Sequence, residues 1–391
     1  MRVAIVHDWF VGGGAERVVY ELHKMYPNAP IFTAYCSDEW RTKLASTQIV
    51  TSYMQHWPFS KIRKFLPPLR ALWFSRLDFR DYDLVISSSG AEAKGIRVER
   101  QQWQMAFGKI IGKWQMKNER SDVKSPIHIS YIHAPTHYYW ARYEDYLEQP
   151  GFGVFNWLAR LGLRLLIGPM RRWDFKAAQR PQYLIANSHY TKDQIKKCYK
   201  REATVIHPPV DVDRFKLPTT NRQLPPRSGF ITAGRQTPYK RIDLAVTACS
   251  MLNLPLKVIG SGPDHKKLTK IAGPSVAFLE QVSDEAMPKF LGQAKAFIFP
   301  GIDDFGIVAV EALAAGTPVI AAGYGGALDY ITKETGILFK PQSEQALVKA
   351  LEEFENKHFD SRIIAKAAQN YSLDDFRLSF RSFVKDVGKE A

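Results

Sequence analysis

Short apolar runs recur along this chain at intervals that each leave room for a helix, and few folds accommodate that rhythm. Val3-Ala4-Ile5-Val6, within a strand expected over residues 2–7, precedes Gly12-Gly13-Gly14 and a helix from Ala15 to Tyr26. Leu84 to Ser87, His128 to Ile132 and Tyr183 to Ser188 continue the series. Strands alternating with helical stretches predict a parallel sheet covered on both faces. A second series begins beyond His207-Pro208-Pro209-Val210, with strands at Phe230–Gly234, Leu256–Gly260, Val276–Leu279, Ala296–Phe299 and Pro318–Ala321. Helices are expected between them, near 240–252, 263–271, 285–293 and 307–315. The reading is α/β: two doubly wound domains, 1–210 and 211–370, facing a central cleft. The tail, 371–391, is expected as a helix packing back on the first domain. The polar, Pro-rich segment from Lys216 to Ser228 marks the linker side of the boundary. In such pairs ligands bind at the carboxyl ends of the strands.

At 391 residues the chain exceeds a comfortable single domain. Its three cysteines, Cys36, Cys198 and Cys249, lie far apart, without metal-ligand spacing or a disulfide framework, which fits a reducing compartment. The first apolar run is too short for a signal-peptide core. The near-apolar stretch Phe305–Ala322 carries Glu311 and breaks at Gly316-Thr317-Pro318, so it reads as helix, turn and strand rather than a membrane span. A formal net charge of +15 favours anionic partners. No known nucleic-acid-binding module is visible, so nucleic acid is not expected.

The most informative stretch runs from Asp303 to Ile320. Asp303 falls in a loop after a strand, and Phe305, Gly306 and Ile307 open the next helix. N–H groups at a helix start lack intrahelical acceptors, and the helix dipole favours an anion there, such as a diphosphate. Glu311, two turns in, faces where ribose hydroxyls would lie. Arg235 and Lys240, in a loop between strand and helix, can converge on the same anion. Gly12-Gly13-Gly14 occupies the matching loop of the first domain and permits close backbone approach. Each segment alone also reads blandly: a capped buried helix, a solvated loop, a tight turn. His133, at a strand end, reads equally as a structural histidine, and His7-Asp8-Trp9 is a weaker candidate acceptor contact. The pairs Asp81/Asp83 and Asp211/Asp213 match Asp-x-Asp spacing only, so no metal site is expected.

Taken together, the segments resemble family-4 glycosyltransferases of the two-Rossmann-domain, or GT-B, architecture. The resemblance rests on Gly12 to Arg17, Tyr131-Ile132-His133-Ala134-Pro135, Arg172-Trp173-Asp174, Ala186-Asn187-Ser188, Gly234-Arg235 with Lys240-Arg241, Val282-Ser283-Asp284 and the Asp303–Ile320 run, in the family's order. It implies a metal-independent hexosyltransferase that retains anomeric configuration and needs no cofactor beyond its nucleotide-sugar donor. It implies Glu311 as the ribose acid, Asp303 as the acid on the transferred sugar, and Phe305, Gly306 and Ile307 as backbone donors. Arg235 and Lys240 become the diphosphate clamp, Val282 and Ser283 the base-reading loop, Gly13 and Gly14 the facing glycine loop, and His133 a cleft histidine. The His-Ala-Pro and Arg-Trp-Asp segments resemble mannosyltransferases of polysaccharide and lipid-linked oligosaccharide assembly. That implies GDP-mannose and a lipid-linked or glycan acceptor; the alternatives are a UDP-sugar-dependent transferase or a sugar-nucleotide epimerase of the same architecture. Two departures stand out: Asp303 replaces the usual Glu, with Asp304 as an adjacent candidate, and Leu279-Glu280-Gln281-Val282 lacks the usual glycine.

Basic residues outnumber acidic ones more than two to one over residues 52–118. Trp57, Lys61, Arg63 and Lys64, then Arg70, Trp73 and Phe74, interleave aromatic and basic side chains, as does Trp103–Lys117. Rings of this kind favour the headgroup boundary and the cations an anionic leaflet. Phe155–Trp173, with Arg160, Arg164, Arg171 and Arg172, adds a candidate amphipathic helix. The expectation is a cytoplasmic enzyme peripheral on the membrane; the competing reading makes these aromatics first-domain core.

Overall fold

A computed structural model describes residues 1–62, 66–98, 125–148, 150, 153–216, 226–280 and 282–390. Among them, a seven-stranded parallel sheet has the order β3-β2-β1-β4-β5-β6-β7. Its strands are β1 Val3–His7, β2 Ile31–Thr33, β3 Ile49–Thr51, β4 Leu84–Ser89, β5 Ile127–Ile132, β6 Tyr183–Ala186 and β7 Thr204–Val205. A six-stranded parallel sheet follows, ordered β10-β9-β8-β11-β12-β13. It comprises β8 Phe230–Ala233, β9 Leu256–Ile259, β10 Val276–Leu279, β11 Ala296–Phe299, β12 Val319–Ala322 and β13 Gly336–Phe339. The two doubly wound domains of the sequence reading are present.

Strand β4, one of two six-residue strands, reads Leu-Val-Ile-Ser-Ser-Ser and is wholly buried, as a strand covered on both faces must be. Helix α1, Gly14–Met25, buries Val18, Val19 and Leu22 against β1 and β4. Helices α2, Asn156–Ala177, and α3, His189–Tyr199, flank β6 in sequence. In the second unit α4, Ile242–Met251, and α5, Ile307–Ala314, cover opposite faces of the sheet.

The final helix, α6 Leu373–Glu390, returns to the first unit. Phe376, Phe380 and Val387 join the core that includes Ile5, Val18 and Tyr131, and Arg377 Nε donates to Glu21 of α1 at 3.0 Å. The outgoing and returning segments meet where Val210 pairs with Ser372 and Val210 N–H donates to Tyr371 O at 3.0 Å.

Strand order reverses between β1 and β4 in one sheet and between β8 and β11 in the other. Such switch points open a crevice at the carboxyl edge. The loops that leave these four strands therefore line the candidate site.

Candidate functional site

In the second unit, the loop after β8 carries Arg235, which is exposed, and Lys240, which is largely buried. The loop after β11 carries Asp303, whose carboxylate accepts a hydrogen bond from Lys240 Nζ. Burial pulls the Lys240 ammonium toward deprotonation, but the Asp303 carboxylate more than offsets this, leaving its pKa raised. Phe305 is buried against Tyr330 and Tyr371, so its side chain anchors the start of α5 and only its backbone faces outward chemistry. Gly306 caps that helix at φ 94°, where a Cβ would stand 2.6 Å from Phe299 and 2.7 Å from the Tyr330 hydroxyl. Only glycine fits this position.

In the first unit, the carboxylate of Asp8, just after β1, accepts from the backbone N–H of Gly90, Ala91 and Ala93 after β4, at 2.7–2.9 Å. The two switch-point loops are thereby tied together, with Asp8 as the clasp. Glu16 likewise closes the glycine loop by accepting from Val11 and Gly12 N–H. At the strand ends, Ser88 Oγ lies 2.7 Å from His133 Nε2 and 3.2 Å from His7 Nδ1. Burial, reinforced by His7, pushes the His133 imidazole down to about 3, so it is neutral near pH 7.

The two edges meet. Arg17 of α1 is 2.5 Å from Glu311 of α5, with Arg214 at 3.8 Å from the same oxygen. Arg214 also lies 4.0 Å from Asp284, which links Glu311 to the loop holding Val282 and Ser283. Gly14 approaches so closely that a Cβ there would stand 2.8 Å from Ile307 Cδ1. His137, beyond β5, sits 2.9 Å from Asp304. Burial raises the Asp304 carboxyl, but His137, Arg142 and Lys240 together hold it below the usual value. Arg142 Nη2 donates to Ile302 O at 3.1 Å, and its guanidinium stacks 3.6 Å from the centre of the Tyr239 ring.

Residues 222–371 match the family described as "Glycosyl transferases group 1". Among curated proteins, a D-inositol 3-phosphate glycosyltransferase of Streptomyces avermitilis is 29% identical over 48% of this chain and 47% of its own length. The GDP-mannose-dependent alpha-(1-6)-phosphatidylinositol monomannoside mannosyltransferase of Mycobacterium tuberculosis is 28% identical over 42% of this chain and 50% of its own. The chain thus spans about half the length of the curated relatives it matches. Among solved structures, Anabaena HepE in complex with UDP has a TM-score of 0.67 at 17% identity, covering 99% of this chain and 100% of that one. WaaG, a glycosyltransferase involved in lipopolysaccharide biosynthesis, scores 0.57 at 16% identity over 95% of each chain. These neighbours share the GT-B fold of two parallel-sheet, Rossmann-like domains.

Within the group 1 region lie Arg235, Lys240, Val282, Ser283, Asp303, Phe305, Gly306, Ile307 and Glu311; Gly13, Gly14 and His133 come from the first unit. The structure brings Lys240 to Asp303, and Gly14 to Ile307. The sequence reading included Arg17 in a matching segment without giving it a role, and missed His137, Arg142 and Arg214. Arg17 lies on an amphipathic helix, where a cation reads as solvated surface, and the others carry no motif spacing.

Of the proposed membrane residues, Trp57 is 76% exposed and Lys61 is also exposed. Arg63, Lys64 and the Trp103–Lys117 stretch lie outside the described residues. Trp73 is half-buried, meets Phe74 edge-to-face at 4.9 Å and packs against the first unit's core. Arg70 is buried, donating to both oxygens of Glu92 at 2.9 Å.

His189, His207 and Asp329 have ligand atoms within 4.8 Å of one another. One Asp329 oxygen already accepts from His189 N–H at 2.9 Å, with both imidazoles at 2.9–3.2 Å. It caps the start of α3 from the opposite unit, and a helix N-terminus favours negative charge over a cation. The cluster is an interdomain clasp.

Proposed function

We propose that this chain is a retaining glycosyltransferase that moves a hexose from a nucleotide-diphosphate donor to a lipid-linked or glycan acceptor, without a metal. The observation that carries the reading is the convergence, at both sheets' switch points, of Asp303, Lys240, Glu311 and the start of α5 with Gly14, Arg17 and His133 opposite. Transfer breaks the anomeric C–O bond, and negative charge grows on the departing diphosphate. We assign Lys240, Arg235 and the first N–H groups of α5 to stabilising that charge, the largest lever available for such chemistry. Because Asp303 holds Lys240 in the unliganded protein, a bound diphosphate competes for the same ammonium, and Asp303 is released toward sugar hydroxyls. Glu311, freed from Arg17, accepts hydrogen bonds from ribose.

GDP-mannose is the donor we favour, supported by the mycobacterial relative named as GDP-mannose-dependent. UDP in the complex of HepE supports the second reading, a UDP-sugar donor. Among the described residues no helix is long and apolar enough to cross a membrane. We place the enzyme's work at the cytoplasmic membrane face, where a lipid-linked acceptor would be presented.

The test is a thermal-shift panel of GDP, UDP and their sugar nucleotides, followed by transfer with the stabilising donor in EDTA. GDP and GDP-mannose should raise Tm, transfer should survive the chelator, and the product's NMR coupling should match the donor's anomer. Stabilisation by UDP alone shifts the reading to a UDP-sugar. Indifference to every nucleotide overturns it, inversion refutes the retaining assignment, and rescue of a chelated enzyme by manganese refutes metal independence.

A further inference from the structure

Helix α2 is buried at one end only; toward its start, Arg160 donates to the backbone oxygens of Leu147 and Glu148 at 2.8 and 3.0 Å. The buried residues of the helix are Met170, Asp174 and Ala177. The Asp174 carboxylate is fully buried and holds Lys94 Nζ at 2.6 Å, accepts from Trp140 Nε1 and Thr136 Oγ1, and takes the Tyr199 hydroxyl at 2.8 Å. Thr136 and Trp140 belong to the loop after β5 that carries His137 and Arg142 into the cleft. Removing any partner would strand a buried charge, so this end is rigid.

The other end stands out from the domain. Between Asn156 and Pro169 no residue is buried. Trp157 is 64% exposed, Leu161 47% and Leu165 68%, with Phe155 at 63% just before the helix. At 100° per residue, Trp157, Leu161 and Leu165 share one side of the helix with Arg164 and Arg172, both exposed. From Gln149 through Trp173 there is no Asp or Glu, while Arg160, Arg164, Arg171 and Arg172 are present. An apolar stripe mixed with cations and free of acids is costly to leave in water. It suits a headgroup layer in which rings and leucines enter the acyl boundary while arginines meet lipid phosphates.

We propose that the first half of α2 lies in the headgroup layer of an anionic lipid bilayer and holds the cleft loop after β5 at the membrane surface. This rests on the lipid-linked acceptor proposed above, and centres the membrane face on α2, which the sequence reading named alongside residues 57–73. The occupant is a bilayer rather than a second copy of this chain because a basic, acid-free face repels its own image and complements anionic headgroups.

The experiment is sedimentation of the full chain with phosphatidylcholine vesicles and with vesicles of phosphatidylcholine mixed with phosphatidylglycerol, at low and high salt. The variants are Leu161→Glu/Leu165→Glu and Arg164→Glu/Arg172→Glu, with melting temperature and nucleoside-diphosphate binding measured in parallel. The wild type should sediment with the anionic vesicles, less so as salt rises, because exposed charges are screened within about 10 Å at 0.1 M salt. Either variant should lose about tenfold or more in partitioning, with Tm and nucleotide binding unchanged. Absence of sedimentation by the wild type overturns the proposal, as do variants that bind like wild type. A concentration-dependent dimer that Leu161→Glu/Leu165→Glu dissolves, without vesicle binding, assigns the face to a second copy and also overturns it. Vesicle binding in a protein indifferent to all nucleotides would instead sink the transferase reading and leave this surface standing.

Discussion

Glu311 sits with its side chain 5% exposed between two arginines, while its nearer partner, Arg17, is 36% exposed. That asymmetry separates two roles that a simple deletion would blur. Arg17→Ala leaves a buried carboxylate facing only a distant guanidinium, so it should lower Tm. The loss is about 1–3 kcal/mol, below that of a fully buried pair because water reaches the arginine. Glu311→Ala removes the buried charge and leaves an arginine that can be solvated, so its stability loss should be smaller. It should nonetheless cut transfer about a hundredfold or more, since charge-assisted hydrogen bonds to ribose contribute about 1.5–3 kcal/mol each. Melting curves beside kcat/KM at sub-saturating donor check both. Near-wild-type turnover in Glu311→Ala would show that the ribose lies elsewhere.

Helix α5 depends on a backbone conformation that one residue supplies. Gly306→Ala must adopt φ near 94° and push aside Phe299 and the Tyr330 hydroxyl, both within 2.7 Å of the new carbon. We expect at least about 1–3 kcal/mol of destabilisation and a loss of nucleoside-diphosphate affinity larger than that of an alanine at exposed Leu328. Calorimetric titration with the active diphosphate checks it; unchanged affinity would remove the start of α5 from the donor site. This element was legible in the sequence because a buried parallel strand reads as unbroken apolar residues, and the Asp303–Ile320 run joins two such elements through a glycine and a proline. The short strands β2, β3, β7 and β13 were not seen. Segments of two or three residues such as β2, β3 and β7 carry too little periodicity, and their pairing depends on neighbours distant in sequence, while β13 opens on Gly336 and offers only three apolar residues. Helix Pro67–Ser75 misled for the opposite reason: its alternation of rings and cations looked superficial, but Phe74 and Arg70 turn inward, and the Glu92 that satisfies Arg70 comes from another loop. The cleft's cations from the first unit share that difficulty, because Arg17 and Arg142 acquire meaning only through the second unit's acids.

The molecule as a whole should lose stability as the pH falls. His128 is buried and His133 half-buried, and loss of hydration pushes each down to about 3, so the native protein holds them neutral while the unfolded chain binds protons near pH 6.5. Stability therefore falls as the pH drops through 6.5 and keeps falling toward 3. Asp304 and Asp329, held below their ordinary values by His137 and by His207 with the His189 N–H, add losses of the same sign at the acid end of that range. Urea midpoints should decrease from pH 7.5 to pH 5.5, and less steeply in His128→Gln, which cannot acquire the proton; parallel curves would show that His128 does not contribute. The return of the last helix bears on a different matter, the order in which the protein can be made. The first sheet has all its strands once Val205 emerges, but the pocket in its core stays open until Phe376 and Phe380 are synthesised. At ribosomal speeds that interval is roughly 10–35 s, far longer than a typical domain takes to fold. During it the nascent first unit lacks the rings that pack beside Tyr131, and the second unit's core is itself completed only by Ile364, Ala368 and Tyr371. The sheet that is made first is thus the last to be sealed.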